Sequence, residues 1–402
     1  MGLEKAEQQA LAPVDPAAML SRVEQWCAIN SGTTNIPGLA QQAAALADAF
    51  AALPGEVSLL DPAPVIAIDP AGQQIEQAHG QHLLVRVRPG AGRRFLLTGH
   101  MDTVYPADHP FQTARWLDAE TLNAPGAADM KGGLAVMLEA LLALETGPVA
   151  SGMGYDVLIN ADEETGSLAS SALIAKLAAG KGAALTYEPA TAPDGTLAHA
   201  RGGSGNYSVV ATGRSAHAGR NPQDGRNAVL ALADLALRLK ALTRADLSVN
   251  PARIDGGSAN NVVPEHAVLR FNIRPQTVAA AQRFDDDFTK ALAEVTAQYE
   301  VQLHPHGGIT RPPKPVGAGA QRLFDLVQRA GADLGQHFGW RPSGGVCDGN
   351  NIAAAGVPVV DTMGVRGGAI HSTDEYMIVP SLAERARLSV LVLHRLALGE
   401  PA

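Results

Sequence analysis

Short apolar runs and helix-periodic stretches alternate through the first half of the chain. Apolar positions at helical spacing predict helices over residues 16–28, 36–53, 131–145 and 170–179. Apolar runs bounded by glycine or proline predict buried strands over residues 83–87, 94–98, 157–161 and 184–187. Residues 54–80, which contain several prolines, glycines and glutamines, predict surface hairpins. The alternation of strands and helices is typical of a layered α/β domain with a largely parallel sheet.

The pattern changes in the middle of the chain. Strands are predicted near residue 253 and over residues 268–273, and helices over residues 227–242 and 277–299. These elements form two strand–helix halves. They predict a small α+β domain between residues 202 and 311.

The last part of the chain returns to the α/β pattern. A strand is predicted over residues 357–361 and a closing helix over residues 381–398. The sequence therefore predicts one large α/β domain, made of residues 1–201 and 312–402, into which the small domain of residues 202–311 is inserted.

Composition and charge narrow the class of function. Hydrophobic residues make up 46% and charged residues 18% of the sequence, which is typical of a large globular protein and excludes a disordered one. Lysine and arginine number 31 against 40 aspartates and glutamates, and no basic run occurs. Nucleic acid and anionic membranes are therefore disfavoured as partners. The polar start of the chain, the lack of a long apolar stretch and the two distant cysteines predict a soluble, cytoplasmic protein.

Side chains that can bind metals lie just after predicted strands, at the edge of the sheet where open α/β domains bind ligands. Singly, each has an ordinary interpretation, such as a helix cap or a solvated acidic turn. Together, two histidines and several carboxylates predict a two-metal hydrolytic site with nitrogen and oxygen ligands. The candidates are His100, Asp102, Asp129, the acidic run Asp162-Glu163-Glu164, Glu188 and His371.

Five motifs carry a resemblance to a known family. They occur in the order His-Met-Asp-Thr-Val, Gly-Ala-Ala-Asp-Met-Lys-Gly-Gly, Asp-Glu-Glu-Thr-Gly-Ser, Ser-Ala-His-Ala-Gly and Gly-Ala-Ile-His-Ser-Thr. From about residue 15 to 398 the chain resembles the aminoacylase and carboxypeptidase G family of dinuclear zinc metallohydrolases, most closely its bacterial glutamate carboxypeptidase branch. The resemblance implies a zinc-peptidase-like α/β catalytic domain, an inserted α+β lid or dimerisation domain, and a homodimer.

The resemblance also implies a set of metal ligands. His100 would bind one zinc ion and His371 the other, and Asp129 would bridge the two ions. Glu164 would complete the shell of one ion and Glu188 that of the other. Zinc is the expected metal, with cobalt or manganese as substitutes in such a nitrogen and oxygen site.

Three further residues have catalytic roles in this resemblance. Glu163 would be the general base that deprotonates the attacking water and then carries the proton to the leaving amine. Asp102 would orient the ring of His100. His217, in the small domain, would donate a hydrogen bond to the oxyanion of the intermediate, often from the partner subunit.

Substrate contacts are implied at three positions. Asn261 and Arg274 match substrate-contacting residues, and the planar guanidinium of Arg274 suits a carboxylate. Gly345 belongs to a loop that resembles a substrate-binding Gly-Gly-Thr/Ser-Asp segment. In this chain Val346 and Cys347 replace the small polar residues of that segment, so the side-chain pocket is not assigned.

We interpret the sequence as a metal-dependent hydrolase that cleaves an amide bond to an amino acid with a free carboxylate. We favour release of a C-terminal glutamate from a peptide or folate-like donor, with deacylation of an N-acyl amino acid as the alternative. The two reactions share one chemical step and differ only in the acyl group. An aminopeptidase or dipeptidase would need an acidic group for the free amine, and none stands out. A catalytically inactive binder is disfavoured, because the base and all the expected ligands are present.

Overall fold

The protein is described by a computed structural model, which covers residues 3–401. Its α-helices are α1 Lys5–Leu11, α2 Pro16–Cys27, α3 Ile36–Phe50, α4 Gly132–Glu145, α5 Ser171–Ala178, α6 Ala228–Ala241, α7 Val278–Tyr299, α8 Ala318–Asp333, α9 Asp348–Ala354 and α10 Ser381–Leu398. Its strands are β1 Glu56–Leu60, β2 Val65–Ile68, β3 Gln74–Gln77, β4 His82–Val87, β5 Arg93–His100, β6 Arg115–Trp116, β7 Thr121–Asn123, β8 Met153–Asn160, β9 Ala183–Thr186, β10 Leu197–Arg201, β11 Ser204–Thr212, β12 Leu247–Gly256, β13 His266–Pro275, β14 Gln302–Arg311, β15 Trp340–Ser343, β16 Val359–Val360, β17 Gly367–Gly368 and β18 Tyr376–Ile378.

The chain divides into two compact units. The large unit comprises Met1–Ala63, Ala78–Ala200 and Pro315–Ala402, and the small unit comprises Pro64–Gln77 and Arg201–Lys314. The predicted boundaries place the β2–β3 hairpin in the large domain, whereas the structure groups it with the small unit. A hydrogen bond links the hairpin to that unit, because the side chain of Arg270 on β13 donates to the carbonyl of Ile68 on β2 at 3.0 Å.

The large unit is built around a six-stranded sheet in the order β1-β4-β8-β5-β9-β16. The pairs β8–β5, β5–β9 and β9–β16 are parallel, while β1–β4 and β4–β8 are antiparallel. The sheet is therefore mixed, with its parallel pairs at the centre and at one edge. β1 extends the other edge from a segment in which the sequence predicts only surface hairpins.

Helices cover both faces of this sheet, which explains why its central strands are continuous apolar runs. α4 is apolar on almost every side, and 12 of its residues are buried, because it packs between the sheet and helices α2 and α10. A second apolar cluster on the opposite face includes Ile174 of α5 and Ile352 of α9. This α/β layering confirms the predicted fold class for the large unit.

The small unit is an antiparallel sheet in the order β12-β13-β11-β14 with helices α6 and α7 on one face. Aromatic rings form the centre of its core, with Tyr207 and Phe271 stacked at 4.9 Å between centroids. β14 is a ten-residue strand that the sequence pattern does not predict, since proline and glycine interrupt it. In β14 Arg311 pairs with Ser204 but Ile309 with Gly205, so one residue bulges out of the ladder.

Within residues 3–401, none of the helices has the combination of length and apolar character that crossing a lipid bilayer requires.

Candidate active site

Three parallel strands bring the predicted ligands to one edge of the main sheet. β5 ends at His100, which pairs with Asn160 at the end of β8, and Thr98 pairs with Thr186 at the end of β9. Because parallel strands end at the same edge, the residues that follow them converge there. The short turn Glu163–Thr165 after β8, and Glu188 after β9, therefore lie beside His100.

The two oxygens of Asp129 face two different histidines. Oδ1 lies 3.1 Å from Nε2 of His100, and Oδ2 lies 3.2 Å from Nε2 of His371. Glu164 Oε2 is also 3.2 Å from His371 Nε2, while Glu188 Oε2 is 3.9 Å from His100 Nε2. The Asp129–Met130 peptide bond is cis. One carboxylate thus lies between two imidazoles, and each imidazole has a second carboxylate of its own.

Two overlapping sets of side chains have the spacing of metal ligands. His100, Asp129 and Glu164 present ligand atoms within 4.8 Å of one another, and so do His100, Glu163 and Glu188. All of these donors are imidazole nitrogens or carboxylate oxygens, the ligands that suit divalent zinc. The donor set therefore fits a pair of divalent cations.

The electrostatics of the cluster reflect its excess of carboxylates. Burial raises the pKa of Glu164, and the neighbouring charge of Asp129 raises it further. Hydrogen bonds with Asp129 and Glu164 raise the pKa of His371 to about 11. Burial lowers the pKa of His100, but hydrogen bonds with Asp102 and Asp129 outweigh burial and raise it well above its usual value. Carboxylates packed this closely are stabilised by positive charge between them.

Asp102 contacts both His100 and the acidic turn that follows β8. The main-chain carbonyl of Asp102 is 2.9 Å from Nδ1 of His100, closer than the Asp102 carboxylate at 3.5 Å. The carboxylate instead accepts hydrogen bonds from the amides of Glu163 and Glu164 and from the hydroxyl of Thr33. Asp102 therefore orients the histidine mainly through its backbone, and it anchors the acidic turn through its side chain.

The three adjacent acids of that turn have different surroundings. Asp162 is fully buried, and its carboxylate accepts hydrogen bonds from the hydroxyl of Ser170 and the amide of Ala169. Glu164 points toward His371, and Glu163 belongs to the group around His100. Asp162 is thus a structural anchor of the turn, which the run of three identical charges does not reveal.

Two buried carboxylates near the site, Asp348 and Glu375, have no role assigned from the sequence. Asp348, the first residue of α9, accepts hydrogen bonds from Asn160 and Ser167 and so links the Gly345 loop to the end of β8. Glu375 accepts hydrogen bonds from main-chain amides around Asp129. Asp348 is the aspartate of the segment that resembles Gly-Gly-Thr/Ser-Asp, which is the signal that could have identified it, and Glu375 lies four residues after His371, just outside that motif.

The predicted residues of the small unit fall into two places. His217 forms an isolated bridge with Val262, and the amide of Ala218 donates to the carbonyl of Asn261, so these two predicted residues are neighbours. Arg274 lies near the far end of β13, after the residue that pairs with Gly205. The structure therefore brings His217 and Asn261 together and separates both from Arg274.

Gly345 lies in an exposed loop between β15 and α9 of the large unit. Its amide donates to the hydroxyl of Ser343 at 3.3 Å. Cys347, two residues later, is buried. An open glycine followed by a buried turn suits a loop that approaches a ligand through its backbone.

Comparison with known proteins supports a hydrolase. The chain is 29% identical to carboxypeptidase G2 of Pseudomonas sp. (strain RS-16) over 338 residues, which are 80% of this chain and 78% of that protein. It is 28% identical to succinyl-diaminopimelate desuccinylase of Maricaulis maris (strain MCS10) over 311 residues, 72% of this chain and 77% of that protein. The fold matches that of the Bacillus subtilis YXEP protein, a dinuclear metal binding peptidase of the M20 family. The TM-score is 0.64 at 14% identity, and the match covers 94% of this chain and 98% of the other.

A sequence model of a peptidase family matches most of the chain, from residue 96 to residue 395. The matched segment contains all six imidazole and carboxylate residues of the cluster: His100, Asp129, Glu163, Glu164, Glu188 and His371. Together with the mixed α/β fold, this match means that the chain belongs to peptidase family M20/M25/M40 and is a metallohydrolase.

Proposed function

We propose that this metallohydrolase cleaves an amide bond whose nitrogen belongs to an amino acid with a free carboxylate. The favoured form of this activity is release of a C-terminal glutamate. The observation that carries the proposal is the position of Arg274 beside a second arginine, Arg311. Arg274 and Arg311 lie at the same end of the sheet, since Ile273 pairs with Gly205 and Arg311 with the neighbouring Ser204. Desolvation and the charge of Arg311 lower the pKa of Arg274. Such a pair favours an anionic ligand, and the planar fork of arginine suits a carboxylate.

The metal centre is proposed to hold two zinc ions, with cobalt or manganese as possible substitutes. His100 and Glu188 would bind one ion, His371 and Glu164 the other, and Asp129 both, as the distances between these groups support. Bound cations supply Lewis acidity, which polarises a carbonyl and lowers the pKa of a water molecule.

The remaining steps belong to side chains of this chain. Glu163 is buried and its amide is held by Asp102, so its carboxylate can take a proton from water and deliver it to the leaving nitrogen. Nδ1 of His217 accepts hydrogen bonds from the amides of Gly219 and Arg220, which leaves Nε2–H as the donor for an oxyanion. Arg274 holds the substrate carboxylate.

We also propose a homodimer. β11 has nine residues, so at about 3.3 Å per residue its two ends lie roughly 26 Å apart. His217 and Asn261 lie at one end and Arg274 at the other, and a small substrate cannot reach both within one small unit. Exposed leucines support a self-association surface: on α6, which packs beside the edge strand β12, Leu230 is 54% and Leu237 is 72% exposed.

Substrate selection tests the proposed reaction. With zinc-loaded enzyme, we expect turnover of C-terminal glutamate conjugates and of N-acyl amino acids only when the α-carboxylate is free, since Arg274 needs a negative partner. Amidation of that carboxylate should lower kcat/KM by at least about tenfold to a hundredfold, the value of a charged hydrogen bond. A chelator should abolish turnover of every substrate.

The same panel separates the alternatives. Preference for an acylated amino acid over a peptide would favour a deacylase, a role for which the likeness to a desuccinylase is the specific support. Equal turnover of amidated substrates, together with a requirement for a free amine, would instead indicate an aminopeptidase. Arg274→Ala should remove the preference for the free carboxylate without changing metal content.

Metal loading is expected to release protons. At neutral pH the metal-free protein carries protons on His371 and His100, because neighbouring carboxylates raise the pKa of both imidazoles. A metal ion binds only the neutral imidazole, so at pH 7 two zinc ions should displace about two protons, and their affinity should fall as the pH is lowered. Calorimetric titrations in buffers of different ionisation enthalpy measure this number. Binding without proton release would mean that both imidazoles are already neutral in the metal-free protein and would contradict the raised pKa of His371 and His100.

A further inference from the structure

Glu375 is a buried acid next to the proposed metal centre. It lies between His371 and β18 and is 1% exposed. No lysine or arginine among residues 3–401 forms an ion pair with it, and its partners are hydrogen-bond donors of no net charge. Burying a carboxylate among neutral hydrogen-bond donors costs free energy, and the ammonium of Lys131 acts on it only from beyond ion-pair distance.

The carboxylate of Glu375 makes four hydrogen bonds. Oε1 accepts from the amides of Ala128 at 2.9 Å and Asp129 at 3.0 Å. Oε2 accepts from the amide of Gly126 at 3.2 Å and from the hydroxyl of Tyr105 at 2.8 Å. Two oxygens offer about four acceptor positions, so every position is used. The loop that carries Asp129 is therefore fixed by its own backbone to one side chain.

The turn that carries His371 is linked to the same carboxylate through Tyr105. His371 has a φ of 63°, a left-handed conformation that is uncommon outside glycine and needs support from its surroundings. The hydroxyl of Tyr105 lies 2.8 Å from the carbonyl of Ser372 as well as from Glu375. Asn123 donates to the carbonyls of Thr373 and Glu375 from the adjacent strand. Tyr105 and Glu375 thus tie the turn of His371 to the loop of Asp129.

We propose that Glu375 is a positioning residue that fixes the Asp129 carboxylate and the His371 imidazole at the separation one metal ion requires. The inference rests on the proposed metal centre and goes beyond it, because Glu375 contacts no ligand side chain. Its effect passes through the backbone of Asp129 and through Tyr105. Loosening it should weaken both ions, because Asp129 serves both. The ion held by His371 should be weakened more, because the turn of His371 is loosened as well.

Glu375→Gln tests the inference with almost no change of shape. The glutamine side chain keeps one acceptor oxygen for the amides of Ala128 and Asp129 and turns an NH₂ group toward Gly126 and Tyr105. The Tyr105 hydroxyl can accept from that NH₂ group and donate to the carbonyl of Ser372, but the amide of Gly126 loses its acceptor and faces another donor. We expect the affinity for the zinc ion held by His371 to fall by about 10–100-fold, the usual effect of losing a partner that orients a ligand. The ion held by His100 should lose less affinity than the ion held by His371. kcat should fall more than KM changes, and excess zinc should restore part of it.

The measurements are stepwise metal titrations of the metal-free full chain against a chromophoric chelator, and thermal unfolding. Glu139→Gln is the matched control: Glu139 is also a buried glutamate of the large unit, and it bonds to the amide of Asp15 and to Arg22. It should lower Tm without changing either metal affinity. Tyr105→Phe removes one of the four bonds and should weaken the ion held by His371 in the same direction but less; it decides the question if Glu375→Gln does not fold.

The possible failures are distinct. If Glu375→Gln or Tyr105→Phe lowers Tm but binds both ions with wild-type affinity, Glu375 is only structural and the inference is wrong. If the wild type itself binds fewer than two ions, the proposed metal centre fails first and the role of Glu375 fails with it.

Discussion

Glu163→Gln is expected to lower kcat by about 10²–10⁴-fold while the protein keeps both metal ions. Glutamine has the shape of glutamate, but its amide cannot accept a proton from water. The amide of Glu163 is held by the carboxylate of Asp102, so the backbone of the turn should not move. Metal analysis of the purified variant measures its metal content, and steady-state kinetics measure its kcat.

The neighbouring residue provides the matched control. Glu164→Gln changes the same atoms one residue later, but the Glu164 carboxylate lies 3.2 Å from His371, where a metal ligand is needed. This variant should lose the ion held by His371 and Glu164, and excess zinc should restore part of its activity. Glu163 also lies within ligand distance of His100 and Glu188. If Glu163→Gln loses metal as Glu164→Gln does, Glu163 is a ligand and another group is the base.

The cluster of imidazoles and carboxylates was predictable in part because several of its residues follow strands that the apolar pattern locates along the chain. His100, the acidic turn at 162–164 and Glu188 each end a buried run, and parallel pairing brings such ends together whatever the details of the loops. His371 and Asp129 are recognisable only by their motifs, since they lie in loops. The prediction of an α/β fold with a small α+β unit depends on the same periodicity.

Other features depend on contacts between distant parts of the chain, which periodicity does not encode. Glu375 acquires its partners from amides about 246 residues earlier in the sequence, and backbone donors leave no mark on the sequence. β14 is interrupted by proline and glycine, yet it pairs along its whole length because its ladder absorbs a bulge. The β2–β3 hairpin joins the small unit through Arg270 and the carbonyl of Ile68, a contact to a backbone group.

His217→Ala is expected to lower kcat by about 10²–10³-fold without loss of metal, the usual cost of one oxyanion donor. The donor assignment follows from the ring: the amides of Gly219 and Arg220 occupy Nδ1, and the exposed side chain leaves Nε2–H open to a ligand. Unchanged metal content separates this role from that of a ligand. Metal loss in His217→Ala would make His217 a ligand and would overturn the division of roles between the two units.

Mixing the two inactive variants decides which subunit His217 serves. In a dimer of one Glu163→Gln chain and one His217→Ala chain, action across subunits gives one site with both native residues, whereas action within a chain gives none. Random exchange of equal amounts makes half of the dimers mixed, with one competent site of two, so activity should recover to about one quarter of the wild-type value. The unmixed variants, treated identically, give the baseline. Recovery would support the dimer and explain how His217 and Arg274 act on one substrate from opposite ends of the small sheet. Activity that stays at the baseline after exchange is verified would assign His217 to the site of its own chain.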